Sequence, residues 1–345
     1  TMTNTSNIQL MSLKTVTASL NITNLNVNNL TLPTIPFMNV VLYFPAPEDN
    51  NNPVRPLYID GMSVKNSTAS SLFNFIYLNT ENGVIYNDLV PMYQFTLSSL
   101  NINQNNFSSD SNTFAGVFTF ICTTVEVKNS IFSHNKYSST YGFSDQYIIP
   151  SNSYQNGPSN WFFWNTTFLN EFLKQSTLVY NTAVQPYSNP KYTNTLLYRF
   201  LVLLQCTLKR VLLTKSSVVY TSATFLTFRQ NTFDNVRGDR VSPHYAYHAL
   251  PDTYSNYLNR DSTVEGNILN LLDNPLKQLF DETIIKFKGN WPYYADISKN
   301  IFMNISKTGG PNKEGVLHAY GMEGGYLNNI LIQSNIFVQA LVPTC

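Results

Sequence analysis

The sequence predicts an all-β protein that folds as a right-handed parallel β-helix, a solenoid of stacked coils with long loops between the coils. Three observations lead to this prediction: a six-residue frame recurs along the chain, short runs of strand-forming residues flank it, and helical spacing is nearly absent. Hydrophobic residues at 43% and aromatic residues at 14% supply a large core, while charged residues make up only 12%. Such a composition excludes a disordered chain, because disordered segments are poor in aromatic residues and rich in charge.

The recurring frame reads apolar, two variable residues, Asn, one variable residue, then Phe or Leu. Its five copies are centred on Asn105, Asn231, Asn267, Asn300 and Asn335. Looser copies carry Asn129 or Asn165 one place early, and another has Cys206 in place of Asn. A sharp turn needs a residue in the left-handed region, which Asn tolerates better than most residues. We therefore predict that the Asn residues lie at a turn and stack along one line as a structural ladder.

The residues around the frame have the character of strands. Phe118 to Val127, for example, alternates with a period of two and is rich in Thr, Val and Phe. The residues that close successive frames are separated by 25 to 40 positions, so loops of variable length are expected between coils. Their aromatic side chains are predicted to point inward and stack on one another. Helical spacing occurs only around residues 170–174 and 274–281.

The chain is predicted to contain one main domain. Residues 33–345 form the β-helix, with the best repeats in 95–340 and one long loop at 234–261. Residues 1–32 are polar and alternate like an extended strand, which suits them to adding to the edge of a neighbouring subunit.

An Asn ladder combined with an aromatic stack resembles the pectin-lyase-like parallel β-helix superfamily over roughly residues 95–340. The resemblance implies the fold but no activity, because polysaccharide lyases, hydrolases and surface proteins share it. The paired Asp residues and Gly-His-Gly turn of the hydrolases do not occur here, nor does the Asp cluster with which the lyases bind Ca²⁺. The structural or adhesive type is therefore favoured, and no catalytic, cofactor or metal residue is predicted.

Charge and hydropathy exclude two classes of partner. Lys and Arg total 21 against 20 Asp and Glu, a formal net charge of +1, which provides no field for attracting nucleic acid. No uncharged apolar run approaches the ~20 residues that a membrane span requires. The chain starts at Thr1 without an apolar leader, which we interpret as a removed signal peptide or a piece of a longer protein.

Two groups of residues are candidates for chemistry or binding. In the loop at 234–261, His244 and His248 beside Asp239 have the chemistry of a general acid and base or a metal pair, and the alternative is a solvated loop. Arg237, Gly238 and Asp239 also match a cell-adhesion tripeptide. The aromatic run from Trp161 to Trp164 is either a platform for sugar rings or part of the core.

Cysteines and N-glycosylation sequons can indicate whether a protein is secreted or stays inside the cell. Cys122, Cys206 and Cys345 show no CxxC spacing, and their odd number leaves at least one thiol unpaired within the chain. The sequons for N-glycosylation are Asn4, Asn21, Asn29, Asn66, Asn106, Asn165 and Asn304. Composition alone would produce about as many, so their number does not indicate secretion. Two predictions conflict at Asn165, because a ladder residue would be buried whereas a glycosylated residue must be exposed.

The sequence favours a structural function. We expect an extracellular or cell-surface building block of a filament, appendage or adhesive layer, which assembles head to tail with copies of itself or related chains. N-linked glycans are expected if a eukaryote secretes it, and no other cofactor. The alternative is a carbohydrate-active or carbohydrate-binding protein that acts through the loop at 234–261; if it is an enzyme, it is a polysaccharide lyase or glycoside hydrolase.

Overall fold

The structure is a computed structural model, which describes the chain in separate segments. The described residues are 2–3, 9–13, 20–43, 55–78, 93–109, 116–121, 124–148, 154–156, 160–181, 200–214, 216–221, 225–238, 244–247, 260–265, 268–270, 285–289, 293–303, 317–321 and 330–338. Within them every regular element is a β-strand.

The strands are short and follow one another closely. The first group is β1 (Met2–Thr3), β2 (Met11–Leu13), β3 (Asn21–Thr23), β4 (Asn26–Asn28), β5 (Thr31–Tyr43), β6 (Arg55–Asp60), β7 (Ser63–Lys65), β8 (Thr68–Leu78), β9 (Tyr93–Ser98), β10 (Asn101–Asn103), β11 (Asn106–Ser108) and β12 (Gly116–Ile121). The second group is β13 (Thr124–Lys128), β14 (Ile131–Ser133), β15 (Lys136–Ser138), β16 (Tyr141–Ser144), β17 (Gln146–Ile148), β18 (Tyr154–Asn156), β19 (Asn160–Trp164), β20 (Thr167–Leu169), β21 (Phe172–Lys174), β22 (Thr177–Asn181), β23 (Phe200–Leu204), β24 (Thr207–Lys209), β25 (Leu212–Thr214) and β26 (Ser217–Thr221). The last group is β27 (Phe225–Arg229), β28 (Thr232–Asp234), β29 (Arg237–Gly238), β30 (His244–Tyr247), β31 (Arg260–Glu265), β32 (Ile268–Asn270), β33 (Ile285–Gly289), β34 (Tyr293–Ser298), β35 (Ile301–Met303), β36 (Leu317–Gly321), β37 (Ile330–Gln333) and β38 (Ile336–Val338).

These strands form three long parallel sheets and one hairpin. Sheet A has 11 strands in the order β1-β4-β7-β10-β14-β20-β24-β28-β32-β35-β38, and sheet C has 10 in the order β3-β6-β9-β13-β19-β23-β27-β31-β34-β37. Sheet B has 15 strands, because β5 and β8 are long and later coils divide the same path into two short strands. Strands β17 and β18 pair as an antiparallel hairpin.

The chain passes through sheets C, A and B in turn and then returns to C, which makes one coil. Each strand of sheet C begins a new coil, so the first coil starts at β3 and the tenth at β37. Each coil pairs only with the coil before it and the coil after it, as in a solenoid. The prediction of an all-β parallel solenoid is therefore confirmed.

Two-residue corners separate the short strands. The first corner joins sheet C to sheet A, the second joins sheet A to sheet B, and a third divides the sheet B path in some coils. In each described corner the first residue has a positive φ near 50° to 70°, and Asn is the most frequent residue there. The second residue is mostly buried. The left-handed residue is thus the one before the predicted ladder position, for example Gln230 before Asn231, which corrects the conformation that we assigned to the ladder Asn.

The predicted single ladder is divided between two corners. Asn231, Asn300 and Asn335 lie at the first corner, whereas Asn105 lies at the second, between β10 and β11. Asn267 is outside the described residues. The six-residue frame fits both corners, because each has an apolar inward residue before it and another after it. The looser copies are explained in the same way: Asn129 and Asn165 are the outward left-handed residues, and Ser130 and Thr166 take the buried place.

The core is a narrow column of inward-facing side chains. In sheet A, one register line joins Phe132, Phe168, Leu208, Phe233, Leu269, Phe302 and Phe337. Phe107 lies in sheet B and packs on Tyr137, so it is not part of that line. In the third to fifth coils, rings from all three sheets meet edge to face, as Phe95 and Phe120 do at 4.9 Å between centroids.

Three predicted segments differ from the structure. The boundary at residue 32 falls inside β5, and β3 and β4 already belong to the first coil, so residues 20–32 are part of the solenoid. The segment 234–261 is not one loop, since β29 and β30 pair within sheet B. Residues 170–174 form a corner and strand β21 rather than a helical turn, because their inward positions stack on coils above and below. Residues 274–281 lie outside the described part.

Candidate functional site

The second corner contains a continuous column of buried polar side chains. Ser67 N donates to Asn105 Oδ1 at 2.9 Å, and Asn105 N donates to Asn135 Oδ1 at 3.1 Å. Each amide also crosses to the preceding coil, where Asn105 Nδ2 donates to Val64 O and Asn135 Nδ2 donates to Ile102 O. The side chains therefore link successive coils along the solenoid axis, in addition to the strand hydrogen bonds.

The column ends at a carboxyl group. Asn135 Nδ2 donates to Glu171 Oε1 at 3.1 Å, and Glu171 is 1% exposed. Burial raises the pKa of Glu171 to about 8, although hydrogen bonds from Asn135 and from the side chain of Tyr137 favour the charged form. The next residues of this corner are Val211 and Val236, which are apolar. Sequence reasoning missed Glu171, although a single acidic residue between Asn170 and Phe172, at the corner spacing of the neighbouring coil, was a usable signal.

The first corner uses a more varied set of buried side chains. Leu100 N donates to Ser130 Oγ at 3.1 Å, and Cys206 N donates to Asn231 Oδ1 at 2.8 Å. Asn300 N and Nδ2 both donate to Asn335 Oδ1 at 3.0 Å. Cys206 is a buried free thiol, and burial raises its pKa to about 11. Such a thiol is a packing residue and not a nucleophile at neutral pH.

The outer face of sheet C carries exposed aromatic side chains. The run from Trp161 to Trp164 alternates, so Trp161 and Phe163 are buried in the core while Phe162 is half-buried and Trp164 is 49% exposed on the outside. Phe162 stacks with Phe200 of the next coil at 6.4 Å between centroids and 21° between planes. Trp164 Nε1 donates to Gln205 Oε1 at 3.0 Å, which fixes the orientation of the indole.

An exposed row of amides borders these aromatic residues at the first corner. Asn165 Nδ2 donates to Asn129 Oδ1 at 2.8 Å, and Gln205 Nε2 donates to Gln230 Oε1 at 3.2 Å. All four residues are the left-handed outward residues of successive coils. Aromatic faces beside neutral hydrogen-bonding groups are suited to an uncharged polyhydroxylated ligand, since the ring faces attract C–H groups and the amides pair with hydroxyls.

The tenth coil exposes side chains that are buried in the coils before it. Phe337 is 55% exposed, whereas Phe302 of the preceding coil is 2% exposed and stacks on it at 4.9 Å between centroids. Ile332 is likewise exposed, although its column in sheet C includes the buried Val127 and Phe163. Ile336 differs, because it belongs to an outward column in which Ile131 is also half exposed.

The described sequons have outward positions. Asn29, Asn66 and Asn165 are left-handed corner residues, and Asn21 and Asn106 begin strands β3 and β11; all five are exposed. The structure therefore separates Asn165 from the buried ladder. Asn29, Asn66 and Asn106 lie along the second corner in the first three coils. Asn4 and Asn304 are outside the described residues.

The predicted catalytic and adhesive candidates are not brought together by the described residues. His244 lies in β30 and Arg237 and Gly238 in β29, while Asp239 and His248 are outside the described part. Cys122 and Cys345 are outside it as well. No group of three metal-ligating side chains occurs in the part of the chain that the structure describes.

The described residues contain no helix with the length and hydrophobicity that a membrane crossing needs. In comparisons with known proteins, no family, no curated protein and no solved structure matched this chain.

Proposed function

We propose that the protein is a structural building block of an extracellular or cell-surface filament or adhesive layer, and that copies associate head to tail by stacking their end coils. The observation that carries the proposal is the open end of the tenth coil, where Phe337 and Ile332 are exposed although their columns are buried elsewhere. Exposed strand edges and apolar residues of this kind promote pairing with another chain. The occupant proposed is the N-terminal end of a second copy, where β1, β2 and β3 are the outermost strands of sheets A, B and C.

The internal regularity of the solenoid supports end-to-end stacking. Every coil runs in the same direction, so a second copy placed on the tenth coil offers parallel strands to sheets A and C. Such a contact is heterologous, and heterologous contacts generate open filaments when the rotation does not close. We further propose a right-handed coil of the pectin-lyase-like type, which is the hand that parallel crossover connections adopt almost without exception.

Sedimentation velocity of the purified chain over a range of concentrations tests the assembly. Species that grow with concentration are expected, and Phe337→Lys is expected to reduce them to monomers because it places a charge in the end contact. Ile131→Lys is the matched control, since Ile131 is 50% exposed on the side of the solenoid. Monomers at all concentrations, or equal effects of both variants, would contradict end-to-end stacking; further coils of a longer chain would then be the occupant of this end.

Glycosylation of the outward Asn residues is part of the proposal. Glycans at Asn29, Asn66 or Asn106 would hydrate a surface that carries little charge. Intact mass before and after glycosidase treatment of the native protein measures this. An unchanged mass would remove the glycans from the proposal and shift it toward a prokaryotic or intracellular source.

A second candidate function is carbohydrate binding, and the exposed Trp164 favours it. The surface that supports it is the outer face of sheet C, defined by Phe162, Trp164, Phe200 and Gln205. Electrophoresis through gels that contain neutral polysaccharides is expected to retard the protein, and Trp164→Ala to abolish the retardation. Tyr58→Ala is the control, because Tyr58 is 44% exposed on the same sheet several coils away.

The carbohydrate test needs glycosidase-treated protein. Asn165 is a sequon beside Trp164, and its own glycan would occupy the same surface. Retardation that is unaffected by Trp164→Ala, or absent with every neutral polysaccharide, would remove this candidate without affecting the proposal of a filament.

A further inference from the structure

Glu171 occupies a place where the two preceding coils use an amide. In the third and fourth coils the buried residue of the second corner is Asn105 and then Asn135. Each amide oxygen accepts from the corner above, and each amide nitrogen donates to a strand carbonyl of the preceding coil. Both halves of the amide are therefore used, one as an acceptor and one as a donor.

A carboxylate can replace the accepting oxygen of the amide but not the donating nitrogen. Glu171 Oε1 accepts from Asn135 Nδ2 at 3.1 Å, as an amide oxygen would. Glu171 Oε2 is buried and has no hydrogen-bond partner among the described residues. By analogy with Asn105 and Asn135, this oxygen corresponds to the amide nitrogen, and a carboxylate has no hydrogen to donate. A protonated carboxyl group has one donor and one acceptor side, as the corner requires.

No cation among the described residues compensates a charge at this position. The ion pairs within the described residues are Lys128–Glu126 and Lys209–Asp234, and neither involves Glu171. The titratable group that faces the carboxyl is the buried Tyr137 of β15, whose side chain hydrogen-bonds to Glu171. The pKa of Tyr137 is raised by burial first and by the charge of Glu171 second. The coil below contributes the apolar Val211 and Leu213. The other titratable side chains on the packed elements are exposed and point outward: His134, Lys136, Lys174 and Arg210.

We propose that Glu171 is held as a neutral carboxylic acid that continues the amide column, and that loss of its proton loosens the contact between the fourth and fifth coils. The column becomes a pH-sensitive joint in an otherwise uncharged core. The inference does not depend on the filament or on carbohydrate binding.

The direction of the pH dependence follows from burial. The pKa of Glu171 is raised to about 8 in the folded chain, whereas an unfolded Glu has its ordinary value near 4.5. Between these values the folded state holds a proton that the unfolded state has lost, so stability falls as pH rises through the window. Below about 4.5 both states are protonated and above about 8 neither is, so this contribution is constant outside the window.

Glu171→Gln tests the joint, because glutamine supplies the donor permanently and keeps the size of the side chain. Urea unfolding of the wild-type chain and the variant is measured from pH 5 to pH 9. The unfolding constant of the wild-type chain divided by that of the variant is expected to rise with pH, by about tenfold per pH unit in the middle of the window and on the order of a thousandfold in all. Glu126→Gln is the matched control, since Glu126 lies on the surface paired with Lys128, and its ratio should stay flat.

Two further measurements locate the effect, and the first uses only wild-type protein, so it remains valid if the variant does not fold. In wild-type protein labelled with ¹³C at Glu carboxyls, one resonance should stay unchanged through pH 6 and titrate near pH 8. Hydrogen exchange at pH 9 should be faster in wild type than in the variant at Phe172 N, which donates to Asn135 O, and equal at Thr207 N, which donates to Thr166 O. A flat ratio for Glu171→Gln, or Glu resonances that all titrate near 4.5, would overturn the proposal.

Discussion

Corners with a buried amide and corners with a buried hydroxyl share one backbone conformation but differ in what the buried side chain bonds to. At the second corner of the third and fourth coils, Asn105 and Asn135 donate to strand carbonyls of the preceding coil. At the first corner, Asn231 does the same toward Leu203 O. Ser130 and Thr166 at that corner donate to carbonyls two residues earlier in their own coil, Lys128 O and Trp164 O, and the Thr166 hydroxyl also lies 3.3 Å from Val127 O of the preceding coil. Ser67 at the second corner does the same toward Lys65 O. The side chain, and not the corner, decides the pattern.

This difference shows how one turn accepts different residues. Serine side chains bond to a carbonyl of their own coil and still accept a backbone N–H from the preceding coil, as Ser130 does from Leu100. Amides reach further and link coils directly. Corners built from amides should therefore contribute more to the cohesion between coils than corners built from hydroxyls.

The largest expected effect is at the middle of the amide column. Asn135→Leu removes the acceptor for Asn105 N and Nδ2 and the donors to Ile102 O and Glu171 Oε1. Because several buried groups lose partners, at about 1 to 3 kcal/mol each, the free energy of unfolding should fall by roughly 3 to 5 kcal/mol. Urea denaturation measures it. A loss below about 1 kcal/mol would mean that the amides do not link the coils.

A smaller loss is expected at a hydroxyl corner. Ser130→Ala leaves Leu100 N without its buried acceptor, which should lower the free energy of unfolding by about 1 to 2 kcal/mol. The same denaturation experiment applies. If this variant loses as much as Asn135→Leu, the two classes of corner are equivalent and the comparison fails.

Cys206 tests whether the first corner accepts a hydroxyl in place of a thiol. Cys206 Sγ lies 3.5 Å from Leu204 O, the same two-residue relation that Ser130 Oγ has with Lys128 O. Cys206→Ser is therefore expected to change stability by less than about 1 kcal/mol. In the wild-type chain the raised pKa of Cys206, about 11, keeps the thiol neutral at pH 8. Its reaction with a disulfide reagent at that pH should occur only on unfolding, and a fast reaction of this residue would show that the corner opens.

The smallest effect is expected at the outward residue of a corner. Arg210 has a φ of 53°, a conformation that Asn adopts more readily, as the equivalent Asn170 and Asn235 do in neighbouring coils. Arg210→Asn should raise the midpoint temperature of thermal unfolding slightly, because it should raise the free energy of unfolding by at most about 1 kcal/mol. Asn170→Arg is the reverse control and should lower it. Equal midpoints for both would show that the left-handed residue does not limit stability.

Much of the architecture was predictable from local patterns. Alternation of apolar and polar residues predicted strands, and the recurring frame predicted a solenoid with Asn at its turns and a line of Phe and Leu residues from Phe107 to Phe337. All of that line except Phe107 shares one register in sheet A. These features are local, because alternation and turn chemistry act over a few residues. The same locality explains why Asn105 was assigned to the wrong line: both corners have the same flanking residues, and nothing within six residues distinguishes them.

The sequence by itself determined that this protein is a stack of strands with amide-rich corners and a core filled by aromatic rings. The tertiary structure decided which side chains share a corner, and it did so through register between residues 25 to 40 positions apart. Only that register places Trp161 inside and Trp164 outside, leaves Phe337 open while Phe302 is covered, and puts Glu171 beneath Asn135. The physical reason is that a solenoid buries each coil against its neighbours, so burial and hydrogen bonding depend on partners a full coil away.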